Sequence, residues 1–170
     1  MYNYWVKDLS DSMVAIDKIK DTILPKIISG KIHSIENSKN EILIMLDQFS
    51  GIDYIRQDCH GLQGVAARVQ WGHAWNTFTI RSKRKTGTET ELSKRLFQIN
   101  NGYFYPAFTL QAYFDNRTEN NLLSIAAIKT KDLYYLFENK PEIFQANKSD
   151  NDFVFVKWTK IKKYIKLFTL

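Results

Sequence analysis

The sequence predicts a single α/β (α+β) domain in which a mixed β-sheet is flanked by helices. Three observations lead to this prediction. Apolar residues recur at near-helical spacing in the first thirty residues, short apolar or alternating runs follow between residues 41 and 81, and helical and strand patterns then alternate to the end. The length of 170 residues fits one domain, and we expect residues 1–170 to fold as a unit because no linker divides them.

The first element is an amphipathic helix over residues 10–29. Ser10 is a candidate N-cap, Pro25 is expected to end or kink the helix, and Gly30 to stop it. The apolar stripe that predicts the helix consists of Met13, Ile16, Ile19, Ile23, Leu24 and Ile27.

Four strands are predicted next, over residues 41–47, 52–56, 64–70 and 75–81. The first is a continuous apolar run ending in Asp47, typical of a buried strand. In the third strand, alternation places Val65, Ala67 and Val69 on one face and Ala66, Arg68 and Gln70 on the other.

The second half of the chain continues with a basic loop and a capped helix. The pattern Thr88-x-x-Glu91 is typical of a capping box and predicts a helix over residues 89–100 that Gly102 ends. Strands over 103–114 and 122–128, a helix over 130–139 before Pro141, and a strand over 153–156 follow. A Lys-rich amphipathic helix over 159–168 is predicted to finish the chain.

Positive charge is concentrated in the second part of the sequence. The formal net charge of +6 divides into −2 for residues 1–60 and +8 for residues 61–170. Clustered cations bind phosphates and release counterions, so this distribution favours a nucleic-acid partner, with a solvated basic surface as the alternative. The expected nucleic-acid contacts are Arg81, Lys83, Arg84, Lys85 and Arg95.

Several protein classes are excluded. Cys59 is the only cysteine, so neither an intramolecular disulfide nor a cysteine-based zinc finger is available. No apolar run approaches the roughly 20 residues that cross a bilayer, and the N-terminus does not resemble a signal peptide. We therefore expect a cytoplasmic protein without a membrane partner.

The strongest chemical candidate is Asp53, in Gly51-Ile52-Asp53 at the start of a predicted strand. A carboxylate fixed at this point suits a hard cation such as Mg²⁺ or Mn²⁺. If the neighbouring strands are adjacent, Arg68, Gln70, Thr79 and Arg81 share one patch of sheet with it. The alternative interpretation of this patch is a solvated face of an antiparallel sheet.

The order of elements and the position of Asp53 resemble the PD-(D/E)XK nuclease superfamily over roughly residues 10–114. The resemblance implies an αβββαβ core in which Asp53 is the motif aspartate, with residues 115–170 as C-terminal additions. Where the family carries Glu-x-Lys, this chain has Arg68-Val69-Gln70, and neither side chain supplies the charge of its counterpart. Family members can move the missing carboxylate or lysine to the following helix, which makes Glu89, Glu91 and Lys94 candidates. The alternative roles are a helix cap for Glu91 and a solvent-exposed lysine for Lys94.

The resemblance implies a Mg²⁺- or Mn²⁺-dependent DNA endonuclease that hydrolyses phosphodiester bonds, in a restriction, repair, recombination or mobile-element setting. The expected catalytic residues are Asp53, Gln70, Arg68 and Lys94, and the expected metal ligands are Asp53, Asp47 and Glu91, with Glu36 as a weaker candidate. DNA is favoured over RNA, and a homodimer is possible. Two alternatives stay open: an inactive nuclease-like protein that binds nucleic acid, and an inhibitor or adaptor that acts through protein contacts.

Overall fold

The computed structural model describes residues 2–35, 38–84, 86–147 and 152–169. Its helices are α1 (Tyr2–Ile19), α2 (Leu24–Ile27), α3 (Glu41–Ser50), α4 (Glu91–Asn100) and α5 (Thr130–Asn139). Its strands are β1 (Lys31–Ser34), β2 (Tyr54–Asp58), β3 (Gly61–Trp71), β4 (Thr77–Arg81), β5 (Phe108–Phe114), β6 (Leu122–Lys129), β7 (Gln145–Ala146), β8 (Phe153–Lys157) and β9 (Ile165–Thr169). The predicted α+β class is confirmed.

A six-stranded mixed sheet forms the centre of the molecule, in the order β1-β2-β3-β5-β6-β9. Its first three strands are antiparallel, with Tyr54 paired to Val65, and β5 then runs parallel to β3, with Arg68 beside Gln111. The parallel connection passes through β4 and α4, as a parallel pair needs a long crossover. The remaining strands, β6 and β9, are antiparallel to their neighbours.

The two faces of the six-stranded sheet are covered differently. Side chains of β3 and β5 on one face, such as Val65 and Leu110, pack against Ala15, Ile16 and Ile19 of α1 in an apolar core. On the other face Tyr113 of β5 joins a second core formed with α5 and with a three-stranded sheet of order β4-β8-β7. Arg68 and Gln70 of β3 lie on this second face.

The prediction of a strand over 41–47 is wrong, because these residues form α3. The Asn40 side chain accepts hydrogen bonds from the backbone N–H groups of Ile42 and Leu43, and therefore caps the helix. Gly51 ends the helix in the left-handed conformation, at φ 58°. A short apolar run fits a helix or a strand equally well, and here the flanking cap residues decide for the helix.

Two other predicted helices differ from the structure. The leading helix begins at Tyr2 rather than Ser10 and breaks after Ile19, with α2 as a separate turn that contains Pro25. The helix predicted over 159–168 is wrong, because these residues form two short 3₁₀ turns, Trp158–Lys160 and Lys162–Tyr164, followed by β9. The tail instead pairs with the edge of β6, and this tertiary contact overrides the local helical pattern.

The other predicted elements are confirmed with small changes of boundary, apart from the short strands β1 and β7, which the sequence analysis missed. α5 has the predicted bounds, whereas α4 begins at Glu91 and β5 only at Phe108. Among the described residues, no helix is both long enough and apolar enough to span a bilayer.

Candidate functional site

Asp53 lies where the pairing of β2 with β3 ends. The last paired residues are Tyr54 and Val65, and the backbone N–H of Asp53 still donates to the Val65 carbonyl. Beyond this point the Asp53 carboxylate supplies the hydrogen-bond acceptor that a paired strand would provide, because its Oδ2 accepts the backbone N–H of Ala67 at 2.6 Å. The carboxyl group is thereby fixed at an opening in the sheet.

The surroundings of Asp53 raise its pKa to about 7, from an ordinary value of 3.8. Burial is the main cause, since it disfavours the charged form, and the negative charge of Asp47 raises the pKa further. The Ala67 N–H and the cations Arg95 and Arg68 act in the opposite direction. A carboxyl group with a pKa near neutrality gains or loses its proton readily when a cation or a substrate arrives.

Asp47 and Lys94 complete a cluster with Asp53. Asp47 lies near the end of α3, where partial burial raises the pKa of its carboxyl group against the effect of Lys94. Lys94 comes from α4, and its Nζ donates to the Gln48 carbonyl at 2.8 Å. Burial, together with the charge of Arg95, lowers the pKa of Lys94. Three residues predicted separately from the sequence therefore lie in one region.

Arg95 holds this region together from inside the protein. Its Nη1 donates to the Ser50 carbonyl at 2.6 Å and to Gln98 Oε1 at 2.8 Å, and the residue is 5% exposed. A Cβ at Gly51 would lie 2.9 Å from Arg95 Nη2, so glycine is needed there for space as well as for its φ angle. The expectation that Arg95 contacts nucleic acid is corrected, because its guanidinium is buried against the end of α3.

Glu91 is held in an ion pair rather than left free as a ligand. Its Oε2 accepts Arg68 Nη2 at 2.7 Å and the backbone N–H of Arg81 at 3.2 Å, while Tyr134 Oη lies 3.4 Å from Oε1. The predicted cap role of Glu91 is also wrong. The N-cap of α4 is Thr90, and its capping-box partner is Ser93.

Arg68 and Gln70 project from the same face of β3 to different surroundings. Arg68 Nη1 donates to Thr79 Oγ1 at 3.0 Å and to the Thr79 carbonyl at 3.1 Å, and so links β3 to the three-stranded sheet. Gln70 instead lines a cavity beside that sheet. Neither side chain forms a hydrogen bond or an ion pair with the Asp53 carboxyl group, although the charge of Arg68 lowers the pKa of Asp53.

The predicted basic residues are only partly gathered at the surface. The Arg81 guanidinium lies 4.7 Å from the centre of the Phe153 ring. Lys83 and Arg84 are exposed in the loop after β4. Lys85 and the weaker metal candidate Glu36 lie outside the described residues.

Of the three carboxylates predicted as metal ligands, two have no ion-pair partner among the residues that the structure describes, Asp53 and Asp47. No three His, Cys, Asp or Glu side chains of the described ranges converge as a ligand set, and Glu91 is occupied by Arg68. Asp53 and Asp47 remain, and Mg²⁺ commonly binds to one or two carboxylates with water and substrate phosphates as its other ligands. A cation bound by both carboxylates would favour their charged forms, against the burial and the smaller Asp47 repulsion that raise the pKa of Asp53.

The roles of Gly51 and Arg95 were not predicted from the sequence. A glycine after an apolar run signals the end of a helix, and that signal was available. The burial of Arg95 had no local signal, since arginines are mostly exposed.

Comparison with known proteins finds no matching family model, no matching curated protein and no matching solved structure.

Proposed function

We propose that this chain hydrolyses phosphodiester bonds in nucleic acid with the help of a divalent cation. The observation that carries the proposal is a linked set of charges beside the start of β2. Asp47 lies close enough to Asp53 to raise its pKa, Lys94 lies close enough to Asp47 to oppose the rise of its pKa, and Lys94 Nζ donates to the Gln48 carbonyl next to Asp47 at 2.8 Å. Two acidic groups and one amine in a partly buried position are the residue types that such hydrolysis uses.

Each residue has a distinct role in the proposal. Asp53 and Asp47 hold the cation, which when bound supplies positive charge and acidifies a coordinated water. Lys94 donates to a phosphate oxygen, and its lowered pKa reflects a site that is short of solvent. Arg95 is a positioning residue, because it fixes the end of α3 that carries Asp47.

The order of elements supports the same interpretation. The series α1, β1, β2, β3, α4, β5 gives an αβββαβ core, with α2, α3 and β4 as insertions, and Asp53 directly precedes its second strand. This is the arrangement that the resemblance to the PD-(D/E)XK superfamily implies, although its first strand is β1 rather than residues 41–47.

The exposed cations suggest how a polynucleotide would be held. Lys83 and Arg84 lie in the loop that leads from β4 toward α4, and Arg81 ends β4. Contacts to phosphates position a substrate without reading its sequence, so we expect binding that weakens as the salt concentration rises. DNA is the favoured substrate.

The test is cleavage of linear, branched and single-stranded DNA and of RNA, with Mg²⁺, Mn²⁺ or a chelator. We expect Asp53→Asn to reduce metal-dependent cleavage by about 10³-fold or more, because it removes the charge that holds the ion. Asp47→Asn and Lys94→Met should reduce cleavage as well. The matched control is Asp17→Asn, which removes an exposed carboxylate on α1.

Three outcomes of this assay would count against hydrolysis at Asp53. One is cleavage that Asp53→Asn leaves unchanged, which would move the site elsewhere. Another is cleavage that is equally rapid in the chelator. The third is an absence of cleavage on every substrate under every metal condition.

A second candidate function is nucleic-acid binding without cleavage. The ion pair of Glu91 with Arg68 favours this second function, because Arg68 already binds the carboxylate that the family resemblance would place at the metal. A gel-shift measurement with the same substrates separates the two functions. Salt-sensitive binding without metal-dependent cutting would select this second candidate, and Asp53→Asn would then leave the affinity unchanged.

A further inference from the structure

A cavity of about 610 Å³ lies between β3 and the three-stranded sheet. Its lining includes Gln70 of β3, Thr79 of β4, Phe155 of β8, Gln145 of β7 and Trp75, which precedes β4. Its volume is within the range of roughly 300–1,000 Å³ that is usual for small-molecule sites. The cavity is separate from the Asp53 cluster, whose residues do not line it.

The side chains that line the cavity are uncharged. They are amides, hydroxyls, one alanine and two aromatic rings, and no Asp, Glu, Lys, Arg or His is among those described. Aromatic faces bind flat rings, and amides offer donors and acceptors side by side. This lining suits a planar, uncharged, hydrogen-bonding ring better than an ionic group.

Gln70 leaves a hydrogen bond unmade. Its Oε1 is buried and finds no hydrogen-bond partner within the described part of the chain. A buried polar atom without a partner costs free energy, and a donor on a bound ring would remove that cost. Since the two ends of the amide can exchange by rotation, Gln70 can also present its NH₂ group to an acceptor.

Cations lie beside the cavity rather than inside it. Phe153 and Phe155 are two residues apart on β8 and so project from one face, separated by about 7 Å. The Phe153 ring holds the guanidinium groups of Arg81, at 4.7 Å, and of Arg68, at 5.2 Å. Arg68 is bound by Glu91, whereas the Arg81 guanidinium forms no hydrogen bond with any described residue.

We propose that this cavity binds the base of a nucleotide while Arg81 binds its phosphate. Arg81 is two residues after Thr79 on β4, so its guanidinium, which stacks on Phe153 without a hydrogen-bond partner among the described residues, lies about one side-chain spacing from the cavity and can bind a phosphate beside a base held there. This inference rests on the proposed function in one respect, because it takes the bound nucleotide to be a residue of a polynucleotide chain. A free mononucleotide has the same chemistry and serves as the probe.

The test is calorimetric titration of the intact protein with AMP, GMP, CMP and UMP. The comparison ligands are the matching nucleosides, inorganic phosphate and glucose 6-phosphate, which carries a phosphate on a ring that is not planar. We expect at least one mononucleotide to bind more tightly than its nucleoside and more tightly than either phosphate control. Equal binding of glucose 6-phosphate or inorganic phosphate, or no binding of any mononucleotide, would overturn the proposal.

Variants test separately the contribution of the cavity and that of the neighbouring Arg81. We expect Gln70→Leu and Arg81→Met each to weaken mononucleotide binding by about tenfold. Lys131→Met removes an exposed cation of α5, away from the cavity, and should leave that binding unchanged. Thermal unfolding of each variant verifies that it is folded. Binding that is unaffected in folded Gln70→Leu would show that the ring does not enter this cavity.

A final experiment identifies whether the bound base belongs to a polynucleotide, and it separates this proposal from the proposed function. A single-stranded oligonucleotide in which one position lacks its base should bind more weakly than the intact oligonucleotide if the cavity accepts a base of the chain. Asp53-dependent cleavage without mononucleotide binding would refute the base site alone. Mononucleotide binding without cleavage would support the base site and count against hydrolysis.

Discussion

The two faces of β3 differ in what they do for the molecule. On one face Val65, Ala67 and Val69 pack against α1 with other apolar side chains. On the other face Arg68 and Gln70 meet an ion pair and a polar cavity. Both faces belong to one strand, so the alternation of side chains places apolar contacts on one side of β3 and polar contacts on the other.

This difference shows why the polar face tolerates charge. The apolar face already provides a continuous core, with Leu110 and Ala112 of β5 fully buried. The second face has a core of its own, which includes Tyr113 and Tyr134, and beside that core it carries the ion pair of Arg68 with Glu91. We expect substitutions on the first face to change stability, and substitutions around Asp53 to change chemistry and pH dependence.

The largest effect should come from the apolar face. Leu110→Ala removes a side chain with 0% exposure and leaves a cavity, so we expect the free energy of unfolding to fall by about 2–5 kcal/mol. Val14→Ala, at a position that is 57% exposed, is the matched control and should change it by less than about 0.5 kcal/mol. Urea unfolding measures both. Equal effects of the two variants would contradict the assignment of the core.

A smaller, pH-dependent effect should come from Asp53. Its folded-state pKa of about 7 exceeds the ordinary value of 3.8, so the folded protein holds a proton that the unfolded chain releases. Its contribution to stability is therefore lost as the pH rises from about 4 through 7. Asp53→Asn does not titrate, and Asn can still accept the Ala67 N–H.

We accordingly expect Asp53→Asn to gain stability relative to the natural protein as the pH rises. Between pH 5 and pH 8 in a chelator, the difference should change by about 3 kcal/mol. Urea unfolding at the two pH values measures it. A constant difference would show that Asp53 titrates normally.

The smallest effect should come from the cap of α4. The Thr90 hydroxyl accepts the Ser93 N–H at 3.1 Å, and Thr90→Ala should cost about 1 kcal/mol. Thr88→Ala, two residues earlier, is the matched control because Thr88 is not the cap. If Thr88→Ala were the more destabilising variant, the helix would begin where the sequence pattern alone suggested.

The elements with regular alternation were predictable from the sequence. The faces of β3 and the bounds of α5 follow from local patterns that agree with the tertiary structure. The tail from residue 159 to 168 has a helical pattern, but it forms β9 because β6 offers an unpaired edge. Such a long-range contact leaves no local signal.

The candidate site was predictable as a set of residues but not as an arrangement. Asp53, Asp47 and Lys94 were each identified from residue type and position. Their convergence depends on α3 being a helix that Arg95 holds against α4, which requires the tertiary structure. Glu91 was predicted as a metal ligand from the same kind of signal, and only the structure reveals that it pairs with Arg68 instead.

The most direct measurement is a carbon-13 NMR titration of the Asp53 carboxyl group with and without Mg²⁺. Without the ion we predict a pKa of about 7, which Asp47→Asn should lower by removing a nearby negative charge. With Mg²⁺ the pKa should fall, since a bound cation favours the carboxylate. A pKa near 4 that Mg²⁺ does not change would contradict a divalent-cation site at Asp53.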